Sequence, residues 1–311
     1  MKRFLLITLQ IFFFSALAGQ TIIDLNPGGG VRSKAMEDYQ KDEPGWEAKV
    51  KTDSLKYNDN LTRALNALYR DSVDQAERLL TEALKLRPHA TSNYIVRHYL
   101  GRIAIAKGDP RKAISILTTL LKDYPEFRDA RFDRASCYLE IKNTRAALED
   151  CKALFHAQLT ETEHIKALFL RSACYTEDRH PEKAKTDLEE ILRIDPINES
   201  ALLLLAFTYE QMGQPAEALN RMNIFVSSHP TSVVGWVARA ELEERQKMYD
   251  LARTDLDEAI RLSPKDAALY VKRAQLLSLM NLPILAEKDT RKAIDLGYPA
   301  EAIHLPNKGN H

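Results

Sequence analysis

The sequence predicts an all-α protein built from about seven helical hairpins in a row. Its composition supports this, because only 11 glycines and 13 prolines occur in 311 residues, too few for a loop-rich all-β fold. Tripeptides ending in proline recur along the chain, from Leu86–Pro88 to Gly297–Pro299. An alanine also recurs in one local context, at Ala76, Ala113, Ala147, Ala184, Ala218, Ala252 and Ala286. The last four are 34 residues apart, which indicates that the chain repeats one structural unit.

The repeated unit resembles the tetratricopeptide repeat (TPR) family, whose period is about 34 residues. In that family the first helix of each hairpin, helix A, carries a small residue pair and an aromatic residue. The second helix, helix B, carries alanines, and a proline closes the unit. The second repeat matches well, with Leu100, Gly101, Ala104, Ala113 and Pro125. The resemblance implies an α-solenoid wound as a right-handed superhelix. Its repeats span about residues 57–90, 94–127, 128–161, 165–198, 199–232, 233–266 and 267–300.

Small residues and turn residues explain why each unit should fold as a hairpin. A small side chain lets the two helices approach closely where they cross. The predicted crossing residues on helix A are Gly101, Ala135, Ala206, Ala240 and Ala274. Between helices, Gly108, Asp109 and Pro110 match a helix-ending glycine, an N-cap and a first-turn proline. The second repeat should therefore turn sharply at Gly108.

The N-terminal residues 1–19 match a secretory signal, with a basic start, an apolar run and cleavage after Ala18 or Gly19. A membrane anchor is the alternative, but the run Phe4–Leu17 is shorter than the roughly 20 residues that a spanning helix needs. No cysteine lies near the cleavage point, which argues against a bacterial lipoprotein. We therefore expect an exported protein, in the bacterial periplasm or otherwise secreted, without membrane insertion after cleavage.

Two tails flank the predicted array. Residues 20–56 form an N-terminal extension whose glycine- and proline-containing first part is expected to be flexible. Residues 301–311 form a C-terminal tail, in which Ile303 and Leu305 are expected to cover the end of the seventh repeat.

Charge and cysteine content exclude other classes of protein. The 44 basic and 44 acidic residues balance, so no basic face for nucleic acid is indicated. Cys137, Cys151 and Cys174 are an odd number of thiols without zinc-finger spacing, which favours free, buried cysteines. A disulfide between Cys151 and either of the others stays open.

No residue pattern points to catalysis, a cofactor or a metal. The eight histidines lack a metal-binding arrangement, and the glycine run at 28–30 does not follow a strand. Asp255 and Asp257 are two apart on a helix, so they are expected to form a solvated face instead of a carboxylate pair. The sequence predicts a protein that is not an enzyme and takes no small-molecule substrate.

The resemblance implies that partners bind a concave groove lined by the A helices. Matching the groove positions of the family gives His98, Arg102, Phe132, Leu139, Phe169, Leu203, Phe207, Val237, Glu241 and Val271. Exposed apolar side chains at such positions would mark a partner site. In the alternative, tight winding buries them against the next A helix. The family's Lys/Asn clamp for carboxylates is missing, since its positions hold His98 and Arg102.

The sequence thus favours a scaffold or adaptor that binds a peptide or helix of another protein. One alternative is a non-catalytic subunit that completes a partner enzyme through residues 20–56. A second alternative is a structural spacer without a specific ligand.

Overall fold

The computed structural model describes residues 46–306, which fold as fourteen α-helices and one 3₁₀ turn, Ala300–Ala302, without a β-strand in that range. The helices are α1 Trp46–Tyr69, α2 Val73–Leu86, α3 Asn93–Ala106, α4 Pro110–Asp123, α5 Arg128–Glu140, α6 Thr144–Phe155, α7 Glu161–Glu177, α8 Pro181–Ile194, α9 Glu199–Gln211, α10 Pro215–Ser228, α11 Val233–Arg245, α12 Tyr249–Leu262, α13 Ala267–Leu279 and α14 Pro283–Asp295. Consecutive helices pair as hairpins, which confirms the predicted all-α solenoid.

The helices belong to two compact units whose boundary lies between Leu170 and Arg171, inside α7. Within each unit, helix A packs on helix B of its own hairpin, and helix B packs on the next helix A. This contact order is the nearest-neighbour stacking that a repeat array needs, because one hairpin cannot bury its apolar faces alone.

The first helix begins at Trp46, ahead of the predicted array start at residue 57. Contacts to the loop after α2 and to the first residue of α3 hold this longer helix in place. The Arg87 guanidinium donates to the Ser54 hydroxyl at 3.0 Å, and the Tyr57 hydroxyl donates to Asn93 Oδ1 at 3.1 Å. The predicted signal segment and the first part of the extension lie outside the described residues.

The repeated alanines lie in the core, as predicted. All seven are at most 1% exposed. The crossing residue Gly101 shows why the site must be small, because a Cβ there would lie 2.7 Å from Leu117 Cδ2. Any side chain at Gly101 would therefore displace Leu117 from the centre of its hairpin.

The turn inside each hairpin uses one left-handed residue. Gly108 has φ 72°, and the Asp109 carboxylate then caps α4 by accepting from the Lys112 amide at 3.0 Å. This confirms the predicted glycine, cap and proline. The equivalent residues with positive φ are Asp71, Lys142, Arg179, Gly213, Lys247 and Asn281. Because most of them carry a side chain, the hairpin packing holds a conformation that the local sequence disfavours.

All three cysteines are buried thiols that form no disulfide, as the sequence favoured. Burial raises the pKa of the Cys137 thiol to about 12, so this thiol stays protonated and unreactive near neutral pH. Within residues 46–306, no helix combines the length and the apolar character required to cross a bilayer.

Candidate interaction surface

Three rows of side chains repeat every 34 residues along the A helices of the second unit. The first row is Leu203, Val237 and Val271. The second row is Phe207, Glu241 and Gln275. The third row is Glu210, Glu244 and Ser278. Within each helix the three positions are three or four residues apart, which places them on one face. These nine residues are called the helix-A surface below.

The apolar part of this surface is open at its first two hairpins. Leu203, Phe207 and Val237 are only half-buried, although Leu202 and Leu205 on the same helix as the first two are buried. Large apolar side chains that remain in partial contact with water favour a site that another molecule covers.

Ion pairs connect neighbouring A helices along the polar part of the surface. Arg245 donates to both carboxylate oxygens of Glu210, and Lys272 pairs with Glu241. Burial raises the pKa of Glu244. A small pocket of about 170 Å³ is lined by Glu241, Glu244, Arg245, Lys272 and Gln275, among other residues. The pairs leave little net charge, so the pocket favours neutral polar groups over a free ion.

The last described residues of the chain lie on this surface at α13. Gln275 Nε2 donates to the His304 carbonyl at 3.0 Å, and Ser278 Oγ donates to the Pro306 carbonyl at 2.9 Å. Ile303 packs on the apolar cluster that contains Tyr270 and Val271, as predicted for the end of the seventh repeat. The tail therefore covers Gln275 and Ser278, the last residues of the second and third rows.

The predicted groove residues of the first unit differ in exposure. His98, Arg102, Leu139 and Phe169 are half-buried. His98 Nε2 lies 3.0 Å from Asp133 Oδ2, which connects α3 to α5. This contact engages the His98 imidazole within the array, so His98 is less available to a partner than its position suggests.

Phe132 and Val271 are buried, which is the alternative that the sequence left open for the groove positions. Phe132 is 1% exposed and clusters with Ala167 and Leu170 of α7, while Lys166 Nζ lies 4.5 Å from its ring centre. Val271 belongs to the cluster that Ile303 joins. The neighbouring helix A covers the first residue, and the C-terminal tail helps cover the second.

Buried arginine–aspartate pairs connect the two helices of four hairpins. In each pair an arginine of helix A binds both oxygens of an aspartate 16 residues later on helix B. The pairs are Arg134–Asp150, Arg171–Asp187, Arg239–Asp255 and Arg273–Asp289. This fixed spacing was visible in the sequence but was not recognised there.

Three of these arginines also reach the preceding hairpin. Arg134 donates to Thr118 at 3.1 Å, and Arg239 donates to Asn223 at 3.0 Å, each 16 residues earlier. Arg273 likewise donates to Asp257. Arg134, Arg239 and Arg273 therefore each bridge two B helices and contribute to the stacking of the array.

These contacts correct the prediction of a solvated face on α12. Asp257 is exposed, but Asp255 is only 3% exposed and is bound by Arg239. The helix directs Asp255 inward between its hairpin partners, where an unpaired carboxylate would be costly. The two aspartates do point in different directions, as expected from their spacing.

A second buried carboxyl group lies beside this pair. Glu243 is 6% exposed, and burial followed by the nearby Asp255 charge raises its pKa to about 7, although Arg239 opposes the shift. The protonated form can donate to Asp255, which lets the two carboxyl groups share a proton. The Glu243 carboxyl group is enclosed by the array. Within residues 46–306, no set of three or more metal-ligating side chains occurs.

We expect Glu243→Gln to stabilise the protein at high pH. The folded-state pKa of about 7 lies above the reference value of 4.5, so the free energy of unfolding falls as pH rises between these values and is constant above them. Glutamine removes this loss, which amounts to at most about 3 kcal/mol. Across this pH range, the melting temperature of the variant should increase relative to that of wild type as the pH rises. Glu217→Gln, at an exposed site, is the control, and parallel curves for wild type and Glu243→Gln would contradict the assignment.

Comparison with known proteins agrees with this architecture. Models described as tetratricopeptide repeat match residues 100–157, 67–126 with 175–230, and 233–276, together more than half of the chain. A tetratricopeptide repeat protein from Parabacteroides merdae is 25% identical, with a TM-score of 0.63, over 80% of this chain and 96% of that one. No functionally curated protein matches the sequence.

Two further solved structures share the fold at lower identity. The C-terminal part of a TPR repeat-containing protein from Cytophaga hutchinsonii is 10% identical, with a TM-score of 0.61, over 76% of this chain and 95% of that one. MamA from Desulfovibrio magneticus is 20% identical, with a TM-score of 0.52, over 57% of this chain and 97% of that one.

Proposed function

The chain belongs to the tetratricopeptide repeat family, and we propose that it binds a peptide or helix of another protein on the helix-A surface of its second unit. Proteins of this family are generally non-catalytic interaction scaffolds. The observation that carries the specific proposal is the half-buried apolar group Leu203, Phe207 and Val237 on two successive A helices. A partner's apolar anchor would complete the burial of these side chains.

The polar rows determine where such a partner lies along the surface. Glu210 and Glu241 form ion pairs with basic residues of the next A helix, so their charges are neutralised where they border the apolar group. Hydrophobic contacts would provide most of the affinity, and the rim would orient the ligand. In the first unit, His98, Arg102, Leu139 and Phe169 remain candidates for partner contacts.

We also propose that the protein acts in the bacterial cell envelope after export. The support is the sequence alone, in which a basic start, an apolar run and small residues precede Ala18 and Gly19. An exported scaffold would hold envelope proteins together without chemistry of its own.

Affinity capture from the envelope fraction tests both proposals with three baits. They are wild type, Phe207→Glu, and the control Ile224→Glu, whose site on helix B is 40% exposed. We expect a partner retained by wild type and the control but reduced at least about tenfold by Phe207→Glu, because a charge replaces an apolar contact. The intact mass of the chain in the same fraction reports whether residues 1–19 were removed.

Equal capture by all three folded baits would contradict binding at Phe207. A chain that retains residues 1–19 or is absent from the envelope would contradict export. Thermal melts of the baits establish that the substitutions leave the array folded.

A further inference from the structure

We propose that the C-terminal segment 303–306 is an internal ligand of the helix-A surface, and that the seventh hairpin accepts a partner peptide of the same kind in its place. The peptide is extended, carries an apolar residue three positions before a proline, and presents backbone carbonyls to Gln275 and Ser278. This inference rests on the proposed function, because it assigns a ligand type to one end of the same surface.

The first support is the pattern of contacts. Both hydrogen bonds between the segment and α13 go to main-chain carbonyls of the segment, at His304 and Pro306. Both donors are side chains of α13 that face the helix-A surface. Recognition through main-chain carbonyls does not require particular side chains at those positions, so another peptide with the same backbone path can replace the tail.

The second support is a difference between equivalent positions. Leu203 and Val237 are half-buried, whereas Val271 in the same row is 5% exposed. Ile303 packs on the cluster of Val271. Ile303 of the tail is therefore one of the side chains that bury the row at this hairpin, together with Val237 and Tyr298, which pack on the same cluster.

The third support is the small number of contacts that hold the segment on the array. The segment is held on the array by the hydrogen bonds from Gln275 and Ser278 and by the packing of Ile303. Such a small set of contacts holds an attached segment because its effective concentration is on the order of millimolar, while a longer or better-fitting partner can displace it.

Fluorescence anisotropy on the full chain tests the proposal with a labelled synthetic peptide of residues 301–311. Wild type is compared with Ile303→Asp, which removes the apolar contact of the tail and leaves α13 unchanged. The half-saturating concentration of the peptide should be at least about tenfold lower for Ile303→Asp, because the attached tail no longer competes. The milder Ile303→Ser variant, measured alongside, should shift in the same direction.

Gln275→Leu added to Ile303→Asp should abolish this gain, since it removes the donor to the peptide backbone. Gln211→Leu in the same background is the matched control at an exposed site and should leave binding unchanged. If folded Ile303→Asp and Ile303→Ser bind the peptide no more tightly than wild type, the segment is only a cap and the proposal is overturned. Capture that still depends on Phe207 would then leave the scaffold function intact.

Discussion

Ala218→Asp should destabilise the second unit by about 3–5 kcal/mol. Ala218 is completely buried on α10, so the substitution forces a carboxylate into a closely packed helix crossing without a prepared partner. Because each hairpin supports its neighbours, the loss should lower the melting temperature of the surrounding repeats as well.

The neighbouring Ala216→Asp is the control, since Ala216 is exposed in the first turn of the same helix. An acidic residue there is neutral or slightly favourable near the helix N-terminus. Thermal denaturation followed by circular dichroism should separate the two variants clearly. Equal melting curves would show that Ala218 does not lie at a crossing.

The second large effect is expected for Asp150→Ala. Asp150 is 3% exposed and accepts from Arg134 at 2.8 and 2.6 Å and from Arg131 at 3.3 Å. Removing it leaves two largely buried guanidinium groups without their carboxylate, which should cost about 3 kcal/mol. Chemical denaturation at neutral pH measures the loss.

The chain itself offers the matched control. In the second hairpin the equivalent positions hold Leu100 and Ile116, an apolar pair. The double variant Arg134→Leu, Asp150→Ile copies this pair and should lose clearly less than Asp150→Ala, because no charge remains without a partner. A double variant as unstable as the single one would mean that the ion pair is needed for more than its charge balance.

The fifth hairpin shows that the array can do without the pair. Leu205 takes the arginine position, and Arg221 takes the aspartate position. The Arg221 guanidinium carbon lies 5.7 Å from the centre of the Tyr209 ring, and its Nε is buried without a hydrogen-bond partner among the described residues. Leu203 and Phe207 lie on helix A of this hairpin, so the surface proposed for binding includes a hairpin that lacks the ion pair.

The candidate site was only partly predictable from the sequence. The family positions led to Leu203, Phe207 and Val237, which the structure leaves half-buried. They also led to Phe132, which α7 covers, and to Val271, whose cluster the tail joins. Position within a repeat specifies the face of a helix but not what lies above that face.

The sequence by itself determined the number of hairpins, the buried alanines and the turn at Gly108. These follow from contacts within one repeat, which recur with the period and are therefore visible as a pattern. The tertiary structure alone decided which helix-A residues stay open, how Asp255 becomes buried, and where residues 303–306 lie. Those features depend on the adjacent hairpin or on a segment outside the repeat. Contacts that do not recur along the chain produce no periodic pattern in the sequence.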